Sequence, residues 1–183
     1  MQPLVIHLAE NMRRAMRPFV LPIYSIVREM KPENCLSIGI RQCQAERAIL
    51  CALKDNEKGL LVSLDIKDYS TRVSENSPEL MPYWKFILGD SLKKETIDLV
   101  SDRIYDFICI DGLHTAEAVE SDYRNFAPLV RKGGIIVIHD VVNKDCGVPS
   151  FWKYLKEHRE EMGIDEMLTL PWLPAGLGII VKK

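Results

Sequence analysis

The 183-residue chain lacks an excess of either charge: 24 Lys and Arg stand against 26 Asp and Glu, a formal net charge of −2. That balance offers no electrostatic hold on nucleic acid or on an anionic membrane surface. Long hydrophobic runs are missing too, and none approaches the ~18 apolar residues of a membrane span. The five cysteines (Cys35, Cys43, Cys51, Cys109, Cys146) form no C-x-x-C pair and no framework spacing. They exclude a disulfide scaffold and read as reduced thiols in a cytoplasm. The opening "MQPLVIHLAENMRRAMRPF" has no basic leader followed by an apolar stretch and a small-residue cleavage site. Internal repeats and low-complexity stretches are absent as well.

What is present is one domain's worth of chain, with 47% hydrophobic and 27% charged residues. Residues 1–33 read as a helical extension, in "LVIHLAENMRRAM" and "FVLPIYSIVREM", with Pro18 and Pro22 dividing or kinking it and Pro32 closing it. From residue 34 to 183 the pattern changes to short apolar runs: "CLSIGI", "GLLVSLD", "WKFILGD", "YDFICID" and "GGIIVIHD". Candidate helices, such as Gln44 to Lys54 and Lys93 to Asp102, separate them. Continuous apolar strands alternating with helices predict a doubly wound, Rossmann-like α/β sheet, parallel and covered on both faces. "SFWKYLKEHREEM" follows as an amphipathic helix with Ser150 as its N-cap. After it, "EMLTL" and "GLGIIVKK" are joined by too short a link for a parallel crossover, so the last of seven strands should run antiparallel. "KDYSTRVSENSPELMPY" (67–83) is the least regular segment and reads as a loop near the site.

Ligands of open α/β sheets lie outside the carboxyl ends of the strands, where strand order reverses. Asp65, Asp90, Asp111, His139 and Asp140 should line that edge. His114 follows closely, on the loop leading to a helix that Thr115 could cap.

"YDFICIDGLHTAEAVESDYRNFAPLVRKGGIIVIHDVV", with "GVPSFWKYLKE" and "GLGIIVKK", resembles class I S-adenosylmethionine-dependent methyltransferases, specifically the methyltransferase-24, small-molecule O-methyltransferase-like branch. The resemblance implies S-adenosylmethionine as cofactor. It places Gly39 at the first glycine of the cofactor turn, Ser37 where that family has an acid, and Arg41, Cys43 and Gln44 where later glycines fall. Asp65 would accept from the ribose hydroxyls. Asp90 would accept from the adenine amino group, with Ser91 beside it or capping the next helix. Asp111 would hold a divalent metal such as Mg²⁺, and His114, three positions on, would deprotonate the acceptor hydroxyl; neutral imidazole at pH 7 suits that role. Asp140 would be the second metal ligand. Val141 stands where catechol-type enzymes have Asn, and alternation would turn His139 to the opposite face from Asp140.

The implied function is O-methylation of a small hydroxylated molecule, with no nucleic acid or membrane partner. The N-terminal helices could cap the site or pair with a second copy of the chain. A methyltransferase-fold binding module that has lost its cofactor turn is the alternative. A nicotinamide-dependent oxidoreductase ranks last, since G-x-G-x-x-G is missing after strand one. His7 and His158 read as surface or satisfied side chains, and Cys109 as core. Cys43 would face the cofactor turn with no base beside it. Tyr83, Trp84, Trp152 and Trp172 read mostly as packing.

Overall fold

The computed structural model describes residues 17–183. The helix expected over "LVIHLAENMRRAM", and His7 within it, lie outside the described residues. The elements, in chain order, are α1 (Arg17–Met30), β1 (Asn34–Ile38), α2 (Gln44–Asn56), β2 (Leu60–Asp65), α3 (Thr71–Ser74), a 3₁₀ turn (Pro78–Tyr83) and β3 (Trp84–Leu88). Then come α4 (Lys94–Asp98), β4 (Tyr105–Ile110), α5 (Ala116–Phe126), β5 (Val130–His139), α6 (Val148–Glu157), β6 (Ile164–Leu170) and β7 (Leu177–Lys182).

One seven-stranded sheet runs in the order β3-β2-β1-β4-β5-β7-β6. The first five strands are parallel, and β7 pairs antiparallel with both β5 and β6. This is the expected Rossmann-like sheet with its reversed last strand. Alternation along the buried strands sends side chains to two separate cores. Cys35, Phe107, Cys109 and Val137 pack under α1 and α2; Leu36, Ile38, Ile108, Ile110, Ile136 and Ile138 pack under α5 and α6. Strand order reverses between β1 and β4, so the chain leaves these two neighbours toward opposite faces and opens a crevice at their carboxyl ends.

Three local expectations are corrected. Pro22 does not divide α1, which is continuous through it. The carbonyl it leaves without an i+4 donor belongs to Pro18, in the helix's first turn, where one missing bond costs least. Residues 67–83 are not an irregular loop, because α3 and the 3₁₀ turn bury Val73 and Leu80 against the α2 core. Ser150 is not an N-cap: α6 starts two residues earlier, and the Ser150 hydroxyl donates to the Gly147 carbonyl at 2.6 Å. Among the described residues no helix is long and apolar enough to cross a membrane.

Candidate active site at the carboxyl edge of the sheet

Strand register sets four functional candidates side by side. Ser37 of β1 pairs with Ser63 of β2 and Cys109 of β4, and Cys109 pairs with Val137 of β5. Two residues further on, facing the same way, stand Asp65, Gly39, Asp111 and His139. Backbone bonds carry the ladder to that row: Gly39 N–H donates to Leu64 at 2.9 Å, and Asp111 N–H to Ile38 at 2.8 Å. Gly39, at φ 79°, is closed in by backbone; a β-carbon there would stand 2.2 Å from the Asp111 carbonyl oxygen. The glycine is therefore required by the meeting of two strand ends, whatever approaches the turn from outside.

Asp65 braces the first turn. Its Oδ2 accepts from Ile40 N–H at 2.8 Å and its Oδ1 from Lys67 N–H at 2.9 Å. Each oxygen keeps a further lone pair for an outside donor. Beyond Ile40, Cys43 adopts φ 53° at the start of α2, a left-handed conformation that glycine takes without strain and cysteine does not. Its thiol is buried, and burial pushes its pKa up to about 12, which removes it as a nucleophile.

Ser37 turns inward, not toward the crevice. Its hydroxyl donates to Glu46 of α2, and both side chains are buried. Burial, with smaller contributions from the charges of Asp111 and Asp65, lifts the Glu46 pKa to about 8 against the opposing bond from Ser37. The sequence reading missed this carboxylate. The signal was there: Glu46 shares the 46, 49, 50, 53 spacing of the buried stripe formed by Ile49, Leu50 and Leu53.

Asp90 accepts the Leu92 N–H at 3.0 Å, forming a local turn. Ser91 does not cap α4, whose N-cap is Lys93. Burial raises the Asp122 pKa to about 6, with Ser91 opposing and Asp90 adding to the rise.

Asp111, His114, His139 and Asp140 meet in one cluster. Register brings His139 Nδ1 to within 3.0 Å of Asp111 Oδ1. His114 hangs from the loop ahead of α5, which Thr115 does cap by accepting the Ala118 N–H at 3.2 Å. Its imidazole bridges two carboxylates, Nε2 to Asp111 at 3.2 Å and Nδ1 to Asp140 at 2.6 Å. Asp140 and His139 were expected on opposite faces, yet both reach the cluster. Alternation ends with β5 at His139, and Asp140, at φ 64°, swings its side chain back toward the site. His139 was expected at this edge, but not beside Asp140, for that reason.

With a carboxylate on each ring nitrogen, His114 must donate from both, so it is an imidazolium. The bonds to Asp111 and then Asp140 raise its pKa to about 10, against the effect of burial. This corrects the expectation of a neutral base at pH 7. Burial favours protonated Asp111, but the His139 charge and bonds from both imidazoles outweigh it and hold the carboxyl below its ordinary range. Asp140 is likewise pushed up by burial and pulled further down by His114 and His139.

A void of about 10 Å³, room for one water or ion, borders Asp111, His114 and His139. On its outer side a groove of about 510 Å³ runs along His114, Glu117, Cys146 and Gly147. Gly147 N–H donates to the His114 carbonyl at 2.9 Å, and a β-carbon on it would lie 2.3 Å from Ala116 N. The loops after β4 and β5 thus touch backbone to backbone at the site.

The aromatic residues divide. Trp84 and Trp152 are core, donating to Ser63 at 2.8 Å and Thr169 at 3.0 Å; Trp172 is half exposed and lies 5.7 Å from the Phe19 ring. His158 is satisfied by the Tyr154 carbonyl at 2.9 Å.

The sequence model of one family, described as a methyltransferase domain, matches residues 36–141. No curated protein matches the chain by sequence. Among solved structures, the O-methyltransferase TomG from Streptomyces achromogenes, in complex with S-adenosylmethionine, shares 14% identity at a TM-score of 0.74, covering 100% of this chain and 91% of that one. The Podospora anserina methyltransferase PaMTH1, bound to S-adenosylhomocysteine, shares 18% at 0.70, covering 100% and 89%. The mycinamycin-pathway methyltransferase MycE, in complex with Mg, S-adenosylhomocysteine and mycinamycin VI, shares 16% at 0.70, covering 99% of this chain and 55% of its own. At these identities the likeness is one of fold.

Proposed function

The chain belongs to the methyltransferase-24 family, and on that premise we propose that it transfers the methyl group of S-adenosylmethionine to a hydroxyl of a small molecule. The observation that carries the reading is His114, set between Asp111 and Asp140 on the wall of an open groove, at the reversal of strand order.

S-adenosylmethionine, when bound, supplies an electrophilic methyl on a sulfonium leaving group. Asp65, braced but with acceptor capacity left on both oxygens, takes the ribose hydroxyls. Asp90 and Ser91 lie further along the same edge and contact the adenine. Gly39 keeps the first turn low, and Ser37 acts from beneath it by holding Glu46. The chain's task is then to align the acceptor and remove its proton. His114 takes the hydroxyl proton as the O–CH₃ bond forms and the S–CH₃ bond breaks, leaving a neutral thioether.

His114 must first give up the proton that Asp111 and Asp140 hold on it. Those two carboxylates fit a divalent metal, which when bound would offset their charge and polarise the acceptor hydroxyl. Residues 34–183 serve as one catalytic unit. The described part of the N-terminal extension, α1, caps the acceptor side in this reading rather than pairing with a second chain, because the Phe19 ring lies 5.6 Å from that of His139. Neither a nucleic acid nor a membrane is a partner, and the cytoplasm is the place of action.

Calorimetric titration with S-adenosylmethionine and S-adenosylhomocysteine tests the reading. Both should bind, and Asp65→Ala should weaken them by about 1–3 kcal/mol through lost ribose hydrogen bonds. Absence of binding to either would sink it and leave a binding module on a methyltransferase fold.

A further inference from the structure

We propose that Glu46 lets the site tell the methyl donor from the spent product by charge. It stands protonated beneath the first turn, releases its proton when S-adenosylmethionine binds above, and regains one once the methyl has left. This role rests on the methyl-transfer reading and sets the specificity of that same site.

Position comes first. Ser37 and Glu46 flank the turn that runs from Gly39 to Cys43, one on β1 and the other in the first turn of α2. The Ser37 hydroxyl donates to Glu46 Oε1 and bridges strand to helix beneath that turn, with Ser37 fully buried and Glu46 1% exposed. Asp65 holds the same turn from the end of β2 by accepting the Ile40 N–H at 2.8 Å. The backbone of Asp111, just past β4, closes over Gly39. Glu46 thus lies within electrostatic reach of both carboxylates that border the crevice.

Charge comes second. A buried carboxyl group is either paired with a cation or neutral, because ionising it alone in the interior is costly. Among the described residues no Lys, Arg or His bonds to Glu46, and Arg47, next along the helix, turns away to donate to the Arg72 carbonyl. The charged groups that face it, Asp111 from β4 and Asp65 from β2, both have its own sign. The nearby thiols of Cys43 and Cys109 are buried and un-ionised. Burial, with those two charges, lifts the Glu46 pKa to about 8 against the bonds from Ser37 and its own amide. The empty site is therefore one positive charge short of an ionised Glu46.

The cofactor brings that charge. S-adenosylmethionine carries a sulfonium and an ammonium against one carboxylate, whereas S-adenosylhomocysteine has a neutral thioether in place of the sulfonium. A cation in the crevice favours ionised Glu46, and low-dielectric surroundings strengthen the attraction. Its proton passes to solvent. Methyl transfer then neutralises the sulfur, removes the attraction and lets Glu46 take a proton back from solvent. One residue thereby favours entry of the donor and exit of the product. By linkage, donor affinity should rise with pH up to the Glu46 pKa of about 8, by at most about tenfold per pH unit for one proton.

Calorimetric titration of full-length protein at pH 7, in buffers of different ionisation enthalpy, counts the protons released by each ligand. S-adenosylmethionine should release about half a proton or more beyond S-adenosylhomocysteine. Glu46→Gln, which keeps an acceptor for Ser37, should remove that excess. The donor-to-product affinity ratio should rise severalfold between about pH 6 and 7.5 in the wild type and stay flatter in the variant, which retains the ligands' own titrations. Ser37→Ala, which takes away a bond that favours the ionised form, should move the pH of greatest excess release upward. Near-ultraviolet circular dichroism identifies variants that fold. No excess release in the wild type, an excess that survives in folded Glu46→Gln, or an unmoved profile in folded Ser37→Ala each overturns the proposal. Failure of both ligands to bind would instead overturn the methyl-transfer reading, and this role with it.

Discussion

Glu46 and His114 are titratable groups whose pKa values the fold has raised, and both make stability depend on pH. Glu46 has a folded pKa of about 8 against an ordinary 4.5, so between those values the folded state binds more protons than the unfolded. Stability should then fall as pH rises through that window, by at most about 1.4 kcal/mol per pH unit. Glu46→Gln keeps an acceptor for Ser37 and removes the titration. The change in denaturant midpoint between pH 5 and 6.5, below the range in which His114 contributes, should be smaller in the variant than in the wild type; equal slopes in both would refute the assignment. His114 has the same sign for a different reason. Its raised pKa makes the bridge to Asp111 and Asp140 stabilising below about 6.5, a contribution lost as pH climbs through about 10. Its imidazole proton resonances in metal-free protein should titrate near 10, and Asp140→Asn should bring that midpoint down. In the metal-loaded enzyme, His114→Ala should slow methyl transfer by roughly 10²–10⁴-fold while cofactor affinity changes little. Full activity on an acceptor that the wild type methylates would remove His114 as the base.

The turn between β1 and α2 shows how one short connection can mix two backbone solutions. Gly39 is irreplaceable, because a β-carbon would be strained by φ and would overlap the Asp111–Gly112 backbone. Gly39→Ala should cost more than the ~1–2 kcal/mol of left-handed strain alone. Cys43 accepts a comparable strain at φ 53° and offsets it by full burial, so Cys43→Gly should change stability by less. Thermal melts of the two variants rank them, and a Gly39→Ala protein as stable as Cys43→Gly would contradict the contact. Much of this level was legible in the chain. Five apolar runs gave the parallel strands, the short link after "EMLTL" gave the reversed last strand, and Thr115 was recognisable as a cap. Pro22 misled because a proline's effect depends on which carbonyl it leaves unpaired. Residues 67–83 misled because α3 and the 3₁₀ turn are too short to show a period.

Across the whole molecule, the candidate site is a product of register. No local motif puts Asp65, Gly39, Asp111 and His139 in one row; the pairing of four strands does. The chain set these residues at the carboxyl edge but not in register, and the alternation that argued against His139 beside Asp140 stopped one residue short of Asp140. The same sheet recurs in relatives of 14–18% identity, because strand order and two apolar faces survive exchange of nearly every side chain. The clasp at Gly147 carries a last consequence. Its amide is spent on the His114 carbonyl, and its missing side chain lets two loops meet without a gap. That proton can trade for deuterium only when the loops part, so its exchange rate is a clock on the opening of the site. The clock runs with no substrate present and should slow when a ligand bridges the loops, which makes this one backbone proton a way to screen acceptors before any product is detected.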